Sequence, residues 1–457
     1  MPPFRQRAHA LVDVLADYLE AAERGEGPAI PYRDPDEAYA YWRAFDGGTD
    51  EALAAVLAQS TNVHHPGYVG HQVAVPHADA ILASWVSDVL NNGSAVYEMG
   101  MAGNAIERVV GEELGAAFGL RAGAGAIFTS GGSLANLTAL LAARAARAPS
   151  APAESLCVLV SDQAHYCIER AAHIMGWGVG GVVSLRTGRD YRVLAEALPE
   201  ALAEAARRGR TPIAVVGMAC STSTGTYDDL RQLADFAEAN DLWFHVDGAH
   251  GAAARFAPEE AHRVAGIERA DSVTLDAHKM MRAPALTTAL LFARAGDSYR
   301  TFDSRADYLW GGEATGEWYH SGQRTVECTK LLMGLRVLAL LRGEGLAGIG
   351  RYVASRCALA RAFAAELRGR PGWEVALAPE SNIVCFRQNP PHLAEPGALD
   401  AHNAALRERY LRDGRWYVVS TRLRGVYWLR VTLMNPDTTL EHLGAMLGFA
   451  ERALTHP

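Results

Sequence analysis

From about residue 105 the chain alternates helix-patterned segments with short apolar runs, and that rhythm narrows the possible folds more than any other feature. In order these are "AIERVVGEELGAAFGL", "AIFTS", "LANLTALLAARAARA", "LCVLVS", "IERAAHIMG", "PIAVVGM", "LRQLADFAEAN", "LWFHVD", "SVTLDAH" and "TTALLFA". Short β-rich runs that alternate with helices mean βαβ units, so the fold class is α/β with a mostly parallel central sheet flanked by helices on both faces. A long helical region follows from about Glu327 to Arg368. The tail, with "NIVCFR", "WYVVST", "YWLRVTLMN" and the helix "TLEHLGAMLGFAERAL", reads as a small C-terminal α+β domain. Upstream lie an amphipathic helix with Leu11, Val12, Leu15, Tyr18 and Leu19 on one face, a Pro-rich connector "GPAIPYRDPDE", and an irregular stretch "STNVHHPGYVGHQVAVPHAD". The expected organisation is an N-terminal helical arm and pocket segment over 1–75, a large α/β domain over 76–345 and the small domain over 346–457.

Charge and cysteine usage exclude several functions. A net charge of −9, with no run of Lys or Arg longer than a pair, argues against a nucleic-acid groove or an anionic membrane surface. No stretch of eighteen apolar residues occurs, so no membrane span is expected. The first helix is interrupted by Asp13, Asp17 and Glu20 and does not read as a signal peptide. Six scattered cysteines without a C-x-x-C pair suggest free thiols in a reducing compartment, and a cytoplasmic location is the expectation.

In an open α/β sheet, ligands sit outside the carboxyl ends of the strands, so the polar residues that follow the apolar runs are the candidates. Four ends stand out: "TSGGSLAN", "SDQAHY", "HVDGAHG" and "LDAHK". Gly131, Gly132 and Ser133 precede a helix, where backbone N–H groups and the helix dipole can hold a phosphate; taken alone, the same residues favour a plain N-cap with glycine turns. His165 alone is compatible with a hydrogen-bonded core histidine, and Asp247 with a helix cap. Lys279 is harder to explain structurally, because an ammonium between apolar runs loses hydration unless it is neutral, paired or covalently used.

One cofactor uses the whole set. Pyridoxal phosphate needs an amine, a carboxylate for its ring nitrogen, an anion cradle at a helix start and a flat group against the ring. With "SDQAHYCIERAA", "WFHVDGAHG", "DAHK" and "TSGGSLANLTALLAAR" in this order, the chain resembles the group II pyridoxal-phosphate-dependent amino-acid decarboxylases, the family of glutamate, aromatic-amino-acid and 2,4-diaminobutyrate decarboxylases. The resemblance runs from about "HHPGYVGH" to "LRVTLMNP" and implies the fold type I, aspartate-aminotransferase-like architecture. It implies that Lys279 carries the cofactor as a Schiff base and that Asp247 pairs with the ring nitrogen, so that a quinonoid can form when CO2 leaves. His165 then stacks on the ring, Ala249 packs beneath it, Thr222 lies near the phenolic oxygen, and His278 joins Gly131, Gly132 and Ser133 around the phosphate. One position departs from the family: where it commonly has Asn, this chain has Asp276, an anion that belongs outside the phosphate cradle or needs a bridging donor.

The segment "AGDSYRTFDSRADYLWGGEATGEWYHSGQR" has neither helical nor strand period and reads as a lid, with a solvent-facing loop as the plain alternative. The family's catalytic tyrosine, which protonates carbon after CO2 is lost, aligns with Tyr308, and Tyr319 is a nearby rival. Arg430 stands where the family places an arginine for the substrate carboxylate; a salt bridge within the small domain is the alternative. His64, His65, His71 and His77 lack a metal-ligand spacing, so no metal is expected, and "HPGYVGHQ" suggests a substrate-pocket wall that includes His65 and Tyr68. The implied function is decarboxylation of an L-amino acid to its amine and CO2, with a polar side chain favoured by "NNGSAVYEMG". The alternatives are a decarboxylation-coupled oxidative deaminase that yields an aldehyde, another pyridoxal-phosphate lyase, or a scaffold that has lost the cofactor; the presence of Lys279, Asp247 and His165 argues against the last. The implied partners are a small amino-acid substrate and a second copy of the chain, in a homodimer with shared active sites.

Overall fold

The computed structural model describes residues 3–302, 318–393 and 395–455. It divides into two compact units, one made of Met1–Val75 with Arg356–Pro457 and the other of Pro76–Ser355. The residues that the sequence reading sets apart as an N-terminal arm thus cluster with the C-terminal part of the chain.

Among the described residues the larger unit holds a seven-stranded sheet: β1 (Gly125–Thr129), β2 (Leu156–Ser161), β3 (Val182–Leu185), β4 (Thr211–Met218), β5 (Trp243–Asp247), β6 (Ser272–Asp276) and β7 (Thr288–Phe292), in the order β1-β7-β6-β5-β4-β2-β3. β7 runs antiparallel to both β1 and β6, while the other pairings are parallel. β1 to β6 therefore point the same way and bring their carboxyl ends to one edge. Every residue of β1, β2, β5, β6 and β7 is buried, as expected of strands covered on both faces. The other unit carries an antiparallel sheet of β8 (Trp373–Val375), β9 (Ile383–Gln388), β10 (Val419–Leu423) and β11 (Val426–Thr432), in the order β10-β11-β9-β8.

The long helical region expected over 327–368 is two helices, Met333–Gly343 and Gly345–Gly369. Gly345, at φ +68°, takes a left-handed conformation that interrupts them. β3 and β8, only four and three residues long, are absent from the sequence reading.

Small residues hold the helices close to the sheet. The helix Gly132–Arg147 turns Ala135, Thr138, Ala139, Ala142 and Ala143 inward, and with little bulk between them its axis can lie near the strands. In the helix Met101–Phe118, a methyl group on Gly111 would come within 2.8 Å of the Ala126 nitrogen, so this helix packs directly on β1. The same helix buries Glu107, whose carboxylate meets Lys330 Nζ at 2.7 Å. Lys330 also donates to the Phe128 carbonyl at 3.0 Å and so fastens the strand that leads into Gly131. Burial pushes the Glu107 carboxyl upward and Lys330 opposes it. Removing one member of such a pair leaves a lone charge in the core. Lys330→Met is expected to lower stability in urea by about 3 kcal/mol, and Lys330→Met with Glu107→Leu to regain most of that loss. A single variant as stable as the parent would show that the pair is not what fixes the end of β1.

Candidate active site

A cavity of about 380 Å³ opens at the carboxyl edge of the large sheet. Nine residues singled out in the sequence line it: Gly131, Gly132 and Ser133 after β1, His165 after β2, Thr222 after β4, Asp247 and Ala249 at and after β5, and His278 and Lys279 after β6. Strand ends that are far apart in sequence converge because the parallel strands register side by side.

The phosphate-cradle candidates begin a helix. Gly131 has φ +156° and ψ 160°, a backbone conformation that is essentially restricted to glycine. Its carbonyl accepts from the amides of Leu134 and Ala135, each at 3.1 Å. The amides of Gly132 and Ser133 fall in the first turn, where no intrahelical acceptor is available, and a bound anion can take them. His278 follows β6, with Nδ1 2.9 Å from the Thr287 carbonyl oxygen and Nε2 3.7 Å from Asp276.

Lys279 Nζ lies 2.8 Å from Asp276. Thr288 Oγ1 also donates to Asp276, at 2.6 Å, and is the donor that an anion in this place needs. Asp276 lines the same cavity, and a methyl group on Gly132 would come within 3.0 Å of both its oxygens. Burial opposes the charge on either partner. Their mutual attraction outweighs it, so the Asp276 carboxyl is held below the usual carboxylate range and the Lys279 amine above its ordinary value.

Asp247 is buried at the end of β5; burial pushes its carboxyl up, while Lys279, His165 and the Ala249 amide oppose that. Burial also lowers the His165 imidazole, with Asp247 acting in the opposite direction. His165 Nδ1 accepts from the Cys167 amide at 3.3 Å, and its ring lies 4.2 Å from that of Tyr166. Sequence reasoning missed Asn136, which lines the cavity and donates to Asp247 at 2.9 Å. The signal was an amide inside the otherwise small and apolar stripe of "SLANLTALL".

The remaining candidates are not among the residues that line this cavity. His65, Tyr68 and Arg430 belong to the other compact unit, where all three are buried. His65 Nδ1 accepts from the Gly67 amide at 2.9 Å, and the Tyr68 ring packs 5.5 Å from that of Tyr417. Arg430 sits on β11 opposite Cys385 of β9. Tyr308 falls outside the described residues. Tyr319 is described and packs on Tyr97 at 5.5 Å. Among the described residues no group of three or more His, Cys, Asp and Glu side chains is placed to hold a metal, and no helix is long and apolar enough to cross a membrane.

The sequence matches the family described as "Pyridoxal-dependent decarboxylase conserved domain" over residues 47–389, and the chain belongs to that family. It is similar to the aromatic-L-amino-acid decarboxylase of Bacillus atrophaeus, with 28% identity over 85% of this chain and 81% of the relative. It is 30% identical to the L-2,4-diaminobutyrate decarboxylase of Rhizobium meliloti over 85% of this chain and 79% of that one. Among solved structures, mouse CSAD superposes with a TM-score of 0.89 at 25% identity, covering 98% of this chain and 99% of that one. Catharanthus roseus tryptophan decarboxylase in complex with L-tryptophan shares the fold, with a TM-score of 0.88 at 22% identity over 99% and 98% of the two chains. The protein is therefore an enzyme, a pyridoxal-phosphate-dependent carboxy-lyase of fold type I.

The residues around the cavity fit that cofactor: an amine in Lys279, a buried carboxylate in Asp247, and a glycine turn that leaves two helix-start amides for a phosphate. The chain has two lysines, Lys279 and Lys330, and Lys330 is committed to Glu107 in the core. The Asp276–Lys279 pair has a definite pH signature in the cofactor-free protein. The raised Lys279 value adds stability that is full below the ordinary lysine range and is lost as pH rises through it. The lowered Asp276 value adds stability that is full above the ordinary carboxylate range and is lost as pH falls through it. Across neutral pH both contributions are present. Cofactor-free Asp276→Asn is expected to melt lower at pH 7, by roughly 2–4 °C for each kcal/mol lost. The difference should close as pH falls below the carboxylate range. Equal melting temperatures at pH 7 would contradict the pairing.

Proposed function

We propose that this enzyme removes the α-carboxylate of an L-amino acid as CO2 and releases the amine, with a polar side chain favoured on the substrate. The observation that carries the reading is a single cavity lined by the Lys279 amine, the buried Asp247 carboxylate and the helix start at Gly131–Ser133. The names of relatives lend support to the substrate class: diaminobutyrate, aspartate and cysteine sulfinate carry polar side chains, although an aromatic decarboxylase is among them.

When bound, pyridoxal phosphate supplies an aldehyde for an amine and a ring that accepts the electron pair left by departing CO2. Lys279 is the residue for covalent attachment, and Asp276 holds its amine in the cavity until then. Asp247 holds a proton at the ring nitrogen. Gly131, Gly132, Ser133 and His278 bind the phosphate, His165 and Ala249 cover the two faces of the ring, and Thr222 faces the phenolic oxygen. Arg430 is assigned to a substrate carboxylate on the chemistry of its guanidinium fork, and His65 and Tyr68 to the substrate wall on the family resemblance. Tyr308 is assigned, on the same resemblance, to deliver the proton that completes the amine.

The working unit is proposed to be a homodimer with shared active sites. The helix Ala78–Leu90 exposes Leu82, Trp85, Val86 and Val89, at the spacing of one helical face, and such a stripe suits a second copy of the chain. Sedimentation should give a dimer wherever turnover persists; an active monomer would overturn this.

The test of the reaction is to incubate the holoenzyme with a panel of amino acids while CO2, amine, aldehyde and peroxide are measured. Amine and CO2 in equal amounts from a polar substrate are expected, whereas aldehyde with peroxide as the main products would refute the reading. Losing a positioned general acid lowers amine formation by about 10²-fold or more. Tyr308→Phe should lose amine to that extent and release a larger share of aldehyde; unchanged amine output would remove Tyr308 from this role.

A further inference from the structure

Asp247 ends a chain of buried hydrogen bonds that runs across the sheet. Trp243 Nε1 meets Ser272 Oγ at 2.8 Å, Ser272 Oγ meets His245 Nδ1 at 2.8 Å, His245 Nε2 meets Asn136 Oδ1 at 2.9 Å, and Asn136 Nδ2 meets Asp247 Oδ2 at 2.9 Å. The directions in this chain follow from the orientation of the Asn136 amide, whose nitrogen faces Asp247 and whose oxygen faces His245. An indole N–H only donates, so Ser272 Oγ accepts from Trp243 and turns its own hydrogen to His245 Nδ1. His245 is wholly buried and burial lowers its value to about 4, so at neutral pH the ring is uncharged and has one N–H. With Asn136 Oδ1 facing Nε2, that hydrogen is placed on Nε2 and donated to Asn136, and Nδ1, which also lies 3.2 Å from the Ser272 carbonyl oxygen, is left to accept from Ser272 Oγ.

Thr274 Oγ1 also approaches Asn136 Oδ1, at 2.7 Å, and the second hydrogen on Nδ2 faces Cys167 Sγ at 3.2 Å. Both lone pairs and both hydrogens of the amide are therefore used, and a flipped amide would set acceptor against acceptor at Asp247. The whole chain donates in one direction, toward the carboxylate. A proton on Asp247 Oδ2 would face an amide nitrogen that has no lone pair to accept it, and the Ala249 amide donates to Oδ1.

We propose that Asn136, locked in orientation by His245 and Thr274, is the positioning residue that holds Asp247 as an ionised acceptor aimed into the cavity and thereby sets the protonation of the cofactor's ring nitrogen. The inference rests on the reading of Asp247 as the partner of that nitrogen. Asn136 acts through Asp247, and His245 and Ser272 act through Asn136.

The test uses holoenzyme reconstituted with pyridoxal phosphate labelled with 15N in the ring. In the parent enzyme the 15N resonance should be that of a protonated ring nitrogen. In Asn136→Ala it should move toward the unprotonated position while the cofactor stays bound, and kcat should fall about tenfold or more with KM within about threefold. His245→Phe should behave alike, and His245→Gln, which keeps a side-chain N–H donor, should recover part of the parent signal. Ser272→Ala removes one hydroxyl, and serves if the larger changes fail to fold; it should shift the same resonance by a smaller amount. A fully protonated nitrogen in every variant that folds would overturn the proposal, as would a kcat loss that merely follows lost cofactor. An unprotonated nitrogen in the parent enzyme would instead refute the role of Asp247 itself, a result distinct from failure of the relay.

Discussion

A carboxylate taken out of water at the end of a central strand is stable only while it is supplied with donors, and the middle of this sheet is arranged around that requirement at Asp247. β5 places the residue, the turn after it returns the Ala249 amide to Oδ1 at 3.3 Å, and the helix Gly132–Arg147 contributes Asn136. That helix must lie close to β5 and β6 for Asn136 to reach both Asp247 and Thr274, and the alanines around it permit the approach. The helix also opens at Gly132, so the element that supplies the donor to Asp247 exposes its amide-rich end to the same cavity. One packing arrangement thus brings a buried carboxylate and a helix start to the same cavity.

The cationic side of the site is equally constrained. The chain has only two lysines, and with one of them buried against Glu107 we propose Lys279 for the amine chemistry. Asp276 gives that ammonium a partner in a place where burial alone would disfavour its charge. The carboxylate is in turn held by Thr288 on the neighbouring antiparallel strand, so β7 contributes to the site although it contributes no residue to the cavity wall. Asp276 at a position where the family commonly has Asn becomes intelligible as a counter-ion that orients the amine.

Much of the sheet was legible because β1, β2, β5, β6 and β7 are short buried runs set between helices, and β1, β2, β5 and β6 end in polar residues, so those runs and their candidate site residues could be read together. β3 escaped because it is short and only partly buried, and β8 because three residues carry no pattern. The break at Gly345 had a signal in the glycines of "RGEGLAGIG", which were read through as one helical region; the positive φ at Gly345 marks where the first helix ends. At the site, residues that follow the carboxyl ends of strands were found, and residues that reach it from a helix or from the start of the antiparallel strand β7 were not. Asn136 looked like one more position of an alanine-rich helix, and Thr288 like one more β-branched strand residue; each has meaning only through a partner more than ten residues away. Tyr308 rests on family resemblance alone, since it lies outside the described residues.

Lys279 is the amine proposed to serve the cofactor. The most direct measurement of that role is to reduce the holoenzyme with borohydride, digest it and locate the pyridoxyl group by mass spectrometry. The account predicts a single modified site within "DAHKMM", at Lys279, with Lys330 unmodified. A pyridoxyl group on Lys330 or on the N-terminal amine, with Lys279 unlabelled, would contradict it.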